Sequence, residues 1–318
     1  MLPPRRLRHA ALLLTCVAAL SACGSGTAAE PEAAEGRTVD TLLGPVTVPA
    51  QVDSVVVLEG RRDLDVVLSL DLPLVGYPYE EAGSLDLESP LADRLAAARD
   101  KGAKELFLAD EINLEAIAAA APDLIVSRVD DVEPIRAELE AIAPVLAIGD
   151  QSKSTWQDDL RLVGRATGRE DRADALIAEY DERVAELSTT YAAQLAGTTF
   201  APVVISAEKA EVRPGRLMST VLTDLGAKPS TAFAEAVETG RAEFGPEQLL
   251  AGFGDAGALI PLVNDPQTWE QVRTSALYQQ LPAVRDGHAV RSDKQTHEGA
   301  ATTALHCLDV VEQLLKTL

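Results

Sequence analysis

Cysteine, histidine and aromatic residues are scarce in this chain of 318 residues. It contains three cysteines, four histidines and 4% aromatic residues. Because no Cys-x-x-Cys pair occurs, the sequence excludes a zinc finger and a thioredoxin-type redox motif. No histidine lies between residues 10 and 287, so a histidine-rich metal site shared by two halves of the chain is excluded as well.

Motifs for nucleotide binding and hydrolysis are also missing. The chain has no Walker A pattern, no Gly-x-Ser-x-Gly and no His-Glu-x-x-His, so nothing in it indicates a nucleotide-driven motor, a serine hydrolase or a zinc protease. Residues 252–257 match Gly-x-Gly-x-x-Gly. A dinucleotide loop must follow a strand and open a helix, whereas this match follows a predicted helix and leads into an apolar strand.

Positive charge is in short supply. Lys and Arg number 28 against 50 Asp and Glu, which gives a net charge of −22. Phosphate neutralisation needs clustered cations, so we expect no nucleic-acid partner. The same charge fits a secreted protein that is kept soluble by self-repulsion.

The most specific local pattern lies at the N-terminus. A basic cluster at residues 5–8 precedes an apolar run at residues 10–20, which is the layout of a secretory signal and is too short to span a bilayer. The run ends in Leu-Ser-Ala-Cys, which is similar to a bacterial lipobox. That similarity implies a signal peptide over residues 1–22 and acylation of Cys23, which would hold the protein at a membrane surface. The alternative is an ordinary signal peptide with an incidental cysteine.

Short apolar runs alternate with helical segments along the rest of the chain. This alternation predicts an α/β fold of Rossmann-like lobes with mostly parallel central sheets, covered on both faces. The predicted strands include residues 55–58, 74–76, 124–126, 145–148, 203–205 and 258–260.

One long helical segment interrupts the alternation. Apolar residues recur at a 3.6-residue spacing between Glu170 and Leu195, which predicts a helix of about 39 Å at 1.5 Å per residue. A helix of that length is suited to bridge two lobes. The predicted organisation is a flexible tether at 23–37, an N-terminal lobe at 38–151, a helical linker at 152–196 and a C-terminal lobe at 197–318.

Two similar pieces occur in the predicted lobes. Asn113-Leu114-Glu115 precedes one apolar strand and Gly245-Pro246-Glu247 precedes another. Both glutamates are predicted in a first helical turn, where a carboxylate is stabilised by about 0.3–1 kcal/mol. The spacing alone therefore leaves open whether these glutamates serve the helix or a partner.

Cations and aromatic rings follow the predicted strands in both lobes. Open α/β sheets bind ligands beyond the carboxyl ends of their strands. Arginine clamps oxygen atoms through its forked donors, and aromatic rings supply flat contact area. We therefore expect ligand contacts from Arg61, Arg62, Tyr77, Arg128, Arg213, Arg216 and Trp269.

The ordered pieces of the chain resemble the iron–siderophore class of ABC-transporter substrate-binding proteins, a class that also includes cobalamin and haem binders. The resemblance covers nearly all of residues 40–318. It rests on the lipobox at 20–23, the runs at 55–58 and 74–76, residues 113–117 with 122–126, residues 142–144, 164–168 and 222–226, Glu247, and residues 281–287. The sequence departs from the pattern at Asp71, where the class usually has glycine, and at residues 244–246, which replace a more usual serine.

The resemblance implies two α/β lobes joined by one long helix, with the ligand in the cleft between them. It implies a monomeric carrier, without a cofactor and without chemistry on its ligand, that takes a ferric siderophore to a dimeric permease with a cytoplasmic ATPase. Glu115 and Glu247 would dock on arginines of that permease. The strong negative charge of the chain favours a neutral or cationic hydroxamate complex over an anionic catecholate.

Three alternatives remain open from the sequence. A haem or cobalamin carrier of the same fold would use Tyr77 or His297 as an axial ligand. A secreted enzyme is a second alternative, although no nucleophile–base motif supports it. A surface scaffold that binds no small molecule is the third.

Overall fold

The structure is a computed structural model that describes residues 36–79, 89–149, 153–263, 266–292 and 294–318. The predicted signal peptide, Cys23 and nearly all of the predicted tether lie outside these residues. Among the residues that the structure describes, no helix combines the length and the apolar character that crossing a membrane requires.

The N-terminal lobe contains a hairpin and a parallel sheet. The hairpin was not expected from the sequence, whereas the parallel sheet was. The strands of this lobe are β1 (Arg37–Thr41), β2 (Gly44–Val48), β3 (Val55–Val57), β4 (Leu74–Tyr79), β5 (Lys104–Leu108), β6 (Leu124–Arg128) and β7 (Val145–Ile148). The parallel sheet has the strand order β5-β4-β3-β6-β7, and the hairpin pairs β1 with β2.

The C-terminal lobe is built on a mixed sheet of order β10-β9-β8-β11. Its strands are β8 (Phe200–Ile205), β9 (Ala210–Val212), β10 (Ala242–Phe244) and β11 (Ala258–Leu262). β8 runs parallel to β11, but β9 is antiparallel to both of its neighbours. Only four residues join β8 to β9, which is too short for a parallel crossover. The sheet is therefore less parallel than predicted.

Helices cover the sheets, as the α/β prediction requires. They are α1 (Arg62–Ser69), α2 (Ala92–Asp100), α3 (Leu114–Ala119), α4 (Val129–Val132), α5 (Arg136–Glu140), α6 (Trp156–Thr167), α7 (Glu170–Thr190), α8 (Ala192–Gly197), α9 (Leu217–Asp224), α10 (Thr231–Thr239), α11 (Leu249–Phe253), α12 (Pro266–Thr274), α13 (Ala276–Gln280), α14 (Pro282–Arg285) and α15 (Ala301–Leu315). Short 3₁₀ turns lie at Glu133–Ile135, Pro246–Gln248 and Lys294–His297.

The long helix α7 links the two lobes and is shorter than predicted. It ends at Thr190 because Tyr191 leaves helical geometry, with φ −111° and ψ 26°, and α8 continues separately. Its 21 residues span about 32 Å. The expected apolar spacing is confirmed, since Leu176, Ile177 and Tyr180 are all buried.

Helix α1 is buried along its whole length and is tied to the start of α15. The Asp65 carboxylate accepts hydrogen bonds from the backbone N–H groups of Ala300 at 2.7 Å, Thr303 at 3.0 Å and Thr302 at 3.3 Å. Asp65 therefore satisfies N–H groups that an isolated helix terminus leaves without partners. This joint fixes the segment that leads into α15 against the N-terminal lobe.

Asp71 lies just after α1 in a left-handed conformation, with φ 53°. Glycine adopts this conformation most easily, and aspartate tolerates it better than most residues. The Asp71 carboxylate also lies 3.3 Å from Nη1 of Arg94. The departure from glycine that the sequence showed is therefore accommodated by the backbone of an aspartate.

Candidate functional site

The loop between β3 and α1 carries the first charged groups of the site. The buried Asp63 carboxylate accepts hydrogen bonds from the N–H groups of Leu58 at 3.1 Å, Glu59 at 2.8 Å and Gly60 at 2.9 Å. Gly60 has φ +83°, and a Cβ there would lie 3.0 Å from the Pro78 side chain, so this turn requires glycine. Asp63 thereby fixes the loop that presents Glu59 and Arg61.

Arg128, at the end of β6, is surrounded by carboxylates. Its Nη1 lies 3.1 Å and 3.2 Å from the two carboxylate oxygens of Glu298, and its Nε donates to Asp131 at 3.0 Å. Glu59 Oε1 is 3.9 Å from Nη2. Burial favours a lower pKa for Arg128, but these carboxylates outweigh burial and raise the pKa above its ordinary range.

Glu298 and Glu59 are both withdrawn from solvent. The side chain of Glu298 is only 2% exposed, and it reaches Arg128 from the segment before α15. Burial, together with the nearby carboxylates of Asp63 and Glu298, raises the pKa of Glu59 to about 8. Arg61 lies beside it, with Nε 3.4 Å from Glu59 Oε1.

The C-terminal lobe contributes Arg213 and Arg216, which follow β9. Arg213 pairs with Glu211 at 3.2 Å, and the same carboxylate accepts from Lys209 Nζ at 2.9 Å. Arg216 forms no ion pair with a carboxylate of the described residues, and its buried Nε has no hydrogen-bond partner there. Burial, the charge of Arg213 and the charge of Arg61 lower its pKa to about 10, although the carboxylates of Glu298 and Glu211 oppose this shift.

Arg128 from the N-terminal lobe contacts Glu298 from the C-terminal part of the chain, so the two parts of the chain meet at this point. Arg61 and Arg128 come from the N-terminal lobe, whereas Arg213 and Arg216 come from the C-terminal lobe. Glu298 lies near both Arg128 and Arg216. The structure thus gathers four of the seven predicted ligand-binding residues around one charged cluster, which we call the arginine cleft (Arg61, Arg128, Arg213 and Arg216).

Two predicted ligand contacts lie in the interior instead. Arg62 is 4% exposed and donates to Asp159 at 2.8 Å and to the Ser154 carbonyl at 3.2 Å. Tyr77 is 1% exposed, and its hydroxyl accepts a hydrogen bond from Arg99 Nε. Tyr77 lies within β4 rather than after it, because the strand extends beyond the predicted residue 76. Both side chains therefore serve the internal packing of the N-terminal lobe.

Trp269 lies on α12 and is half-buried. Its ring meets the ring of Tyr278 edge-on at 5.8 Å, and the Arg291 guanidinium lies 5.6 Å from its centre. These contacts hold the indole in place, and it stays a predicted ligand contact.

The sequence analysis missed the carboxylates that organise the cleft. Asp63 and Asp65 lie two residues apart in a helix whose other residues are largely apolar. Carboxylates in such a helix indicate that buried polar contacts hold the helix in place. Glu298 gave no such indication, because it contacts Arg128 across 170 positions of the chain.

Two concavities, each of about 430 Å³, are lined by residues other than those of the arginine cleft. One lies beside Asp71, Arg94 and Lys101, and the other lies beside Glu247 and α12. Neither gathers arginines from both lobes.

Glu115 and Glu247 are both exposed, but they lie in different kinds of secondary structure. Glu115 lies in the first turn of α3, where the Asn113 side chain accepts from Ala116 N at 3.0 Å, as its capping position predicts. Glu247 lies in a 3₁₀ turn rather than in an α-helix, and Gln248 Oε1 accepts from Gly245 N at 2.9 Å.

Comparisons with known proteins agree with this architecture. The sequence profile described as periplasmic binding protein matches residues 89–296. The chain is 28% identical to the probable siderophore-binding lipoprotein YfiY of Bacillus subtilis, over 98% of this chain and 99% of that protein.

Solved structures show the same fold. The siderophore periplasmic binding protein from the fuscachelin gene cluster of Thermobifida fusca is 32% identical, with a TM-score of 0.68 over 85% of this chain and 98% of that one. FeuA of Bacillus subtilis, solved with ferri-bacillibactin, is 17% identical, with a TM-score of 0.73 over 88% and 98% of the two chains. The profile match and the similarity to the Thermobifida protein establish that this chain belongs to the periplasmic binding protein family.

Proposed function

We propose that this protein captures a ferric siderophore outside the cell and delivers it to the permease of an ABC importer. The observation that carries the proposal is the convergence of arginines from both lobes in a chain that is otherwise strongly acidic. Guanidinium groups bind the oxygen atoms that ferric chelates present. The names of the relatives, YfiY and the Thermobifida protein, support the same ligand class.

The alternative of a haem carrier loses its proposed axial ligands. Tyr77 and His297 are 1% and 8% exposed, so neither side chain is presented to a ligand in the cleft. The names of the relatives also favour siderophores over haem or cobalamin. The family consists of substrate-binding transport proteins, and we infer that the ligand leaves this protein chemically unchanged.

Glu115 and Glu247 are the proposed docking points for a dimeric permease with its ATPase. One exposed carboxylate on each lobe suits a partner with two-fold symmetry, which presents the same basic surface twice. Acylation at Cys23 would keep the monomeric carrier at the outer face of the membrane, and the names of two relatives as lipoproteins support that anchor.

Ligand binding is tested by thermal unfolding of the protein with a panel of ferric chelates. A ligand at 100 times its Kd adds about 2.7 kcal/mol to the stability of the folded state, so the correct chelate raises Tm clearly. Haemin and cobalamin serve as comparison ligands. If one of them raises Tm and no ferric chelate does, the siderophore assignment is wrong.

Docking is tested separately by charge reversal. We expect Glu115→Lys with Glu247→Lys to reduce uptake of the ferric chelate at least about tenfold in cells, because like charges then meet at the permease surface. Affinity of the purified protein for the chelate should stay within about twofold. The matched control reverses two other exposed glutamates, Glu182→Lys with Glu238→Lys, and uptake by this variant should be normal. Unchanged uptake in the first variant contradicts the docking role.

A further inference from the structure

The arginine cleft carries much of its positive charge in compensated form. Arg128 contacts both Glu298 and Asp131, and Arg213 contacts Glu211. An arginine held in this way offers a ligand hydrogen-bond donors but little net charge. The cleft is therefore less positive than its count of arginines suggests.

Glu298 is the fixed member of this network. Its side chain is 2% exposed, and two residues later Ala300 N donates to the buried Asp65 carboxylate at 2.7 Å. That joint fixes the backbone beside Glu298, and the Arg128 guanidinium binds its carboxylate. Arg128 cannot turn fully towards a ligand, because its departure would leave a buried carboxylate without a partner.

The opposite side of the cleft holds an arginine that meets no carboxylate directly. Arg216 forms no ion pair in the described part of the chain, and its Nε has no hydrogen-bond partner there, although Glu298 and Glu211 lie near enough to act on its charge. The cleft thus combines one guanidinium without a direct ion pair with carboxylates that are bound to Arg128.

Ferric siderophores differ in charge by their chelating groups. Three hydroxamates each lose one proton and give a neutral complex with Fe³⁺, whereas three catecholates each lose two protons and give a complex of charge −3. A trianion in this cleft would lie close to Glu298 and Asp131, and a like-charge contact at an interface is strongly unfavourable.

We propose that Glu298 makes the arginine cleft selective for ferric chelates of low net charge, with neutral tris-hydroxamates bound in preference to trianionic tris-catecholates. This inference rests on the proposed function, because it specifies the siderophore class for the same site. Glu298 acts here as a specificity-determining residue, through its own charge and through its hold on Arg128.

The test titrates the full-length protein with a neutral ferric tris-hydroxamate and with a trianionic ferric tris-catecholate, by tryptophan fluorescence or calorimetry. The unaltered protein should bind the hydroxamate at least about tenfold more tightly. Glu298→Gln should strengthen catecholate binding about tenfold and change hydroxamate binding less than about threefold. Asp131→Asn, at a carboxylate 27% exposed, should shift the ratio the same way by a smaller factor, and it provides the test if Glu298→Gln does not fold.

Glu140→Gln is the matched control, because Glu140 pairs with Arg136 on an exposed helix and its loss should leave both affinities unchanged. A catecholate preference in the unaltered protein overturns the inference while leaving the carrier function intact. Equal weakening of both chelates by Glu298→Gln also overturns it, since that result shows only a structural role. If neither chelate binds, the proposed function itself fails.

Discussion

The two sides of the cleft hold their arginines in different ways. On the N-terminal side, Glu298 and Asp131 hold Arg128, and the buried Asp63 carboxylate fixes the loop that carries Arg61. On the C-terminal side, Arg216 has no carboxylate partner in the described residues, and burial lowers its pKa to about 10.

This difference shows that Arg128 is fixed before a ligand arrives, whereas the Nε of Arg216 remains a donor that a ligand oxygen would satisfy. Preorganisation reduces the entropy lost on binding. A buried N–H donor without a partner is costly in the empty protein and favours binding of an oxygen-rich ligand. The lobes therefore contribute stability and affinity unequally, and three measurements test that division.

The largest expected effect is at the joint that positions Glu298. Asp65→Ala removes the acceptor of three backbone N–H groups at the start of α15. Hydrogen bonds to charged groups contribute about 1.5–3 kcal/mol each, so we expect the loss of three to lower the free energy of unfolding by about 5 kcal/mol in urea denaturation. Asp309→Ala, at an exposed site on the same helix, is the control and should change it by less than about 0.5 kcal/mol. A similarly small change for Asp65→Ala would show that the joint does not stabilise the fold.

The next effect separates the two sides directly. Arg128→Ala leaves Glu298 buried without its partner and should lower the free energy of unfolding by about 3 kcal/mol. Arg216→Ala removes a charge that has no such partner, so stability should stay constant or rise, while affinity for the ferric chelate should fall about tenfold. Thermal unfolding measures the stability of both variants, and ligand titration measures their affinity for the chelate. Equal losses of stability would erase the difference between the lobes.

The third effect is a pH dependence that originates at Glu59. The pKa of this carboxyl is about 8 in the folded protein against an ordinary value of 4.5, so the folded state binds the extra proton between these values. Stability from this group therefore falls as pH rises from about 5 to 8 and then levels off. The facing groups are Asp63, Glu298, Arg128 and Arg61.

Glu59→Gln removes the titrating group and should flatten that part of the curve. Urea denaturation of both proteins between about pH 5 and pH 9 gives the comparison. Parallel pH profiles for the two proteins would place the raised pKa elsewhere in the cleft.

Local patterns in the sequence predicted much of the fold. The apolar run at 145–148 is β7 as expected, and Asn113 caps α3 as its position indicated. These features depend on neighbours within a few residues, so the sequence displays them. The break after Thr190 and the antiparallel strand β9 were missed, because the first rests on a single backbone angle and the second on a partner strand further along the chain.

The site was predicted less completely than the fold. The rule that ligand groups follow strands selected Arg61, Arg128, Arg213 and Arg216, which the structure brings together, but it also selected two buried residues, Arg62 and Tyr77. Arg62 begins α1 and Tyr77 lies within β4, so the exact ends of these elements decided their burial, and the sequence did not show those ends.

By itself the sequence determined an α/β protein with alternating strands and helices, a helix long enough to join two lobes, and arginines placed after strands in an acidic chain. Only the tertiary structure decided which of those arginines meet a carboxylate directly. The physical reason is that electrostatic compensation depends on separations of a few ångströms, and Arg128 meets Glu298 from 170 positions away.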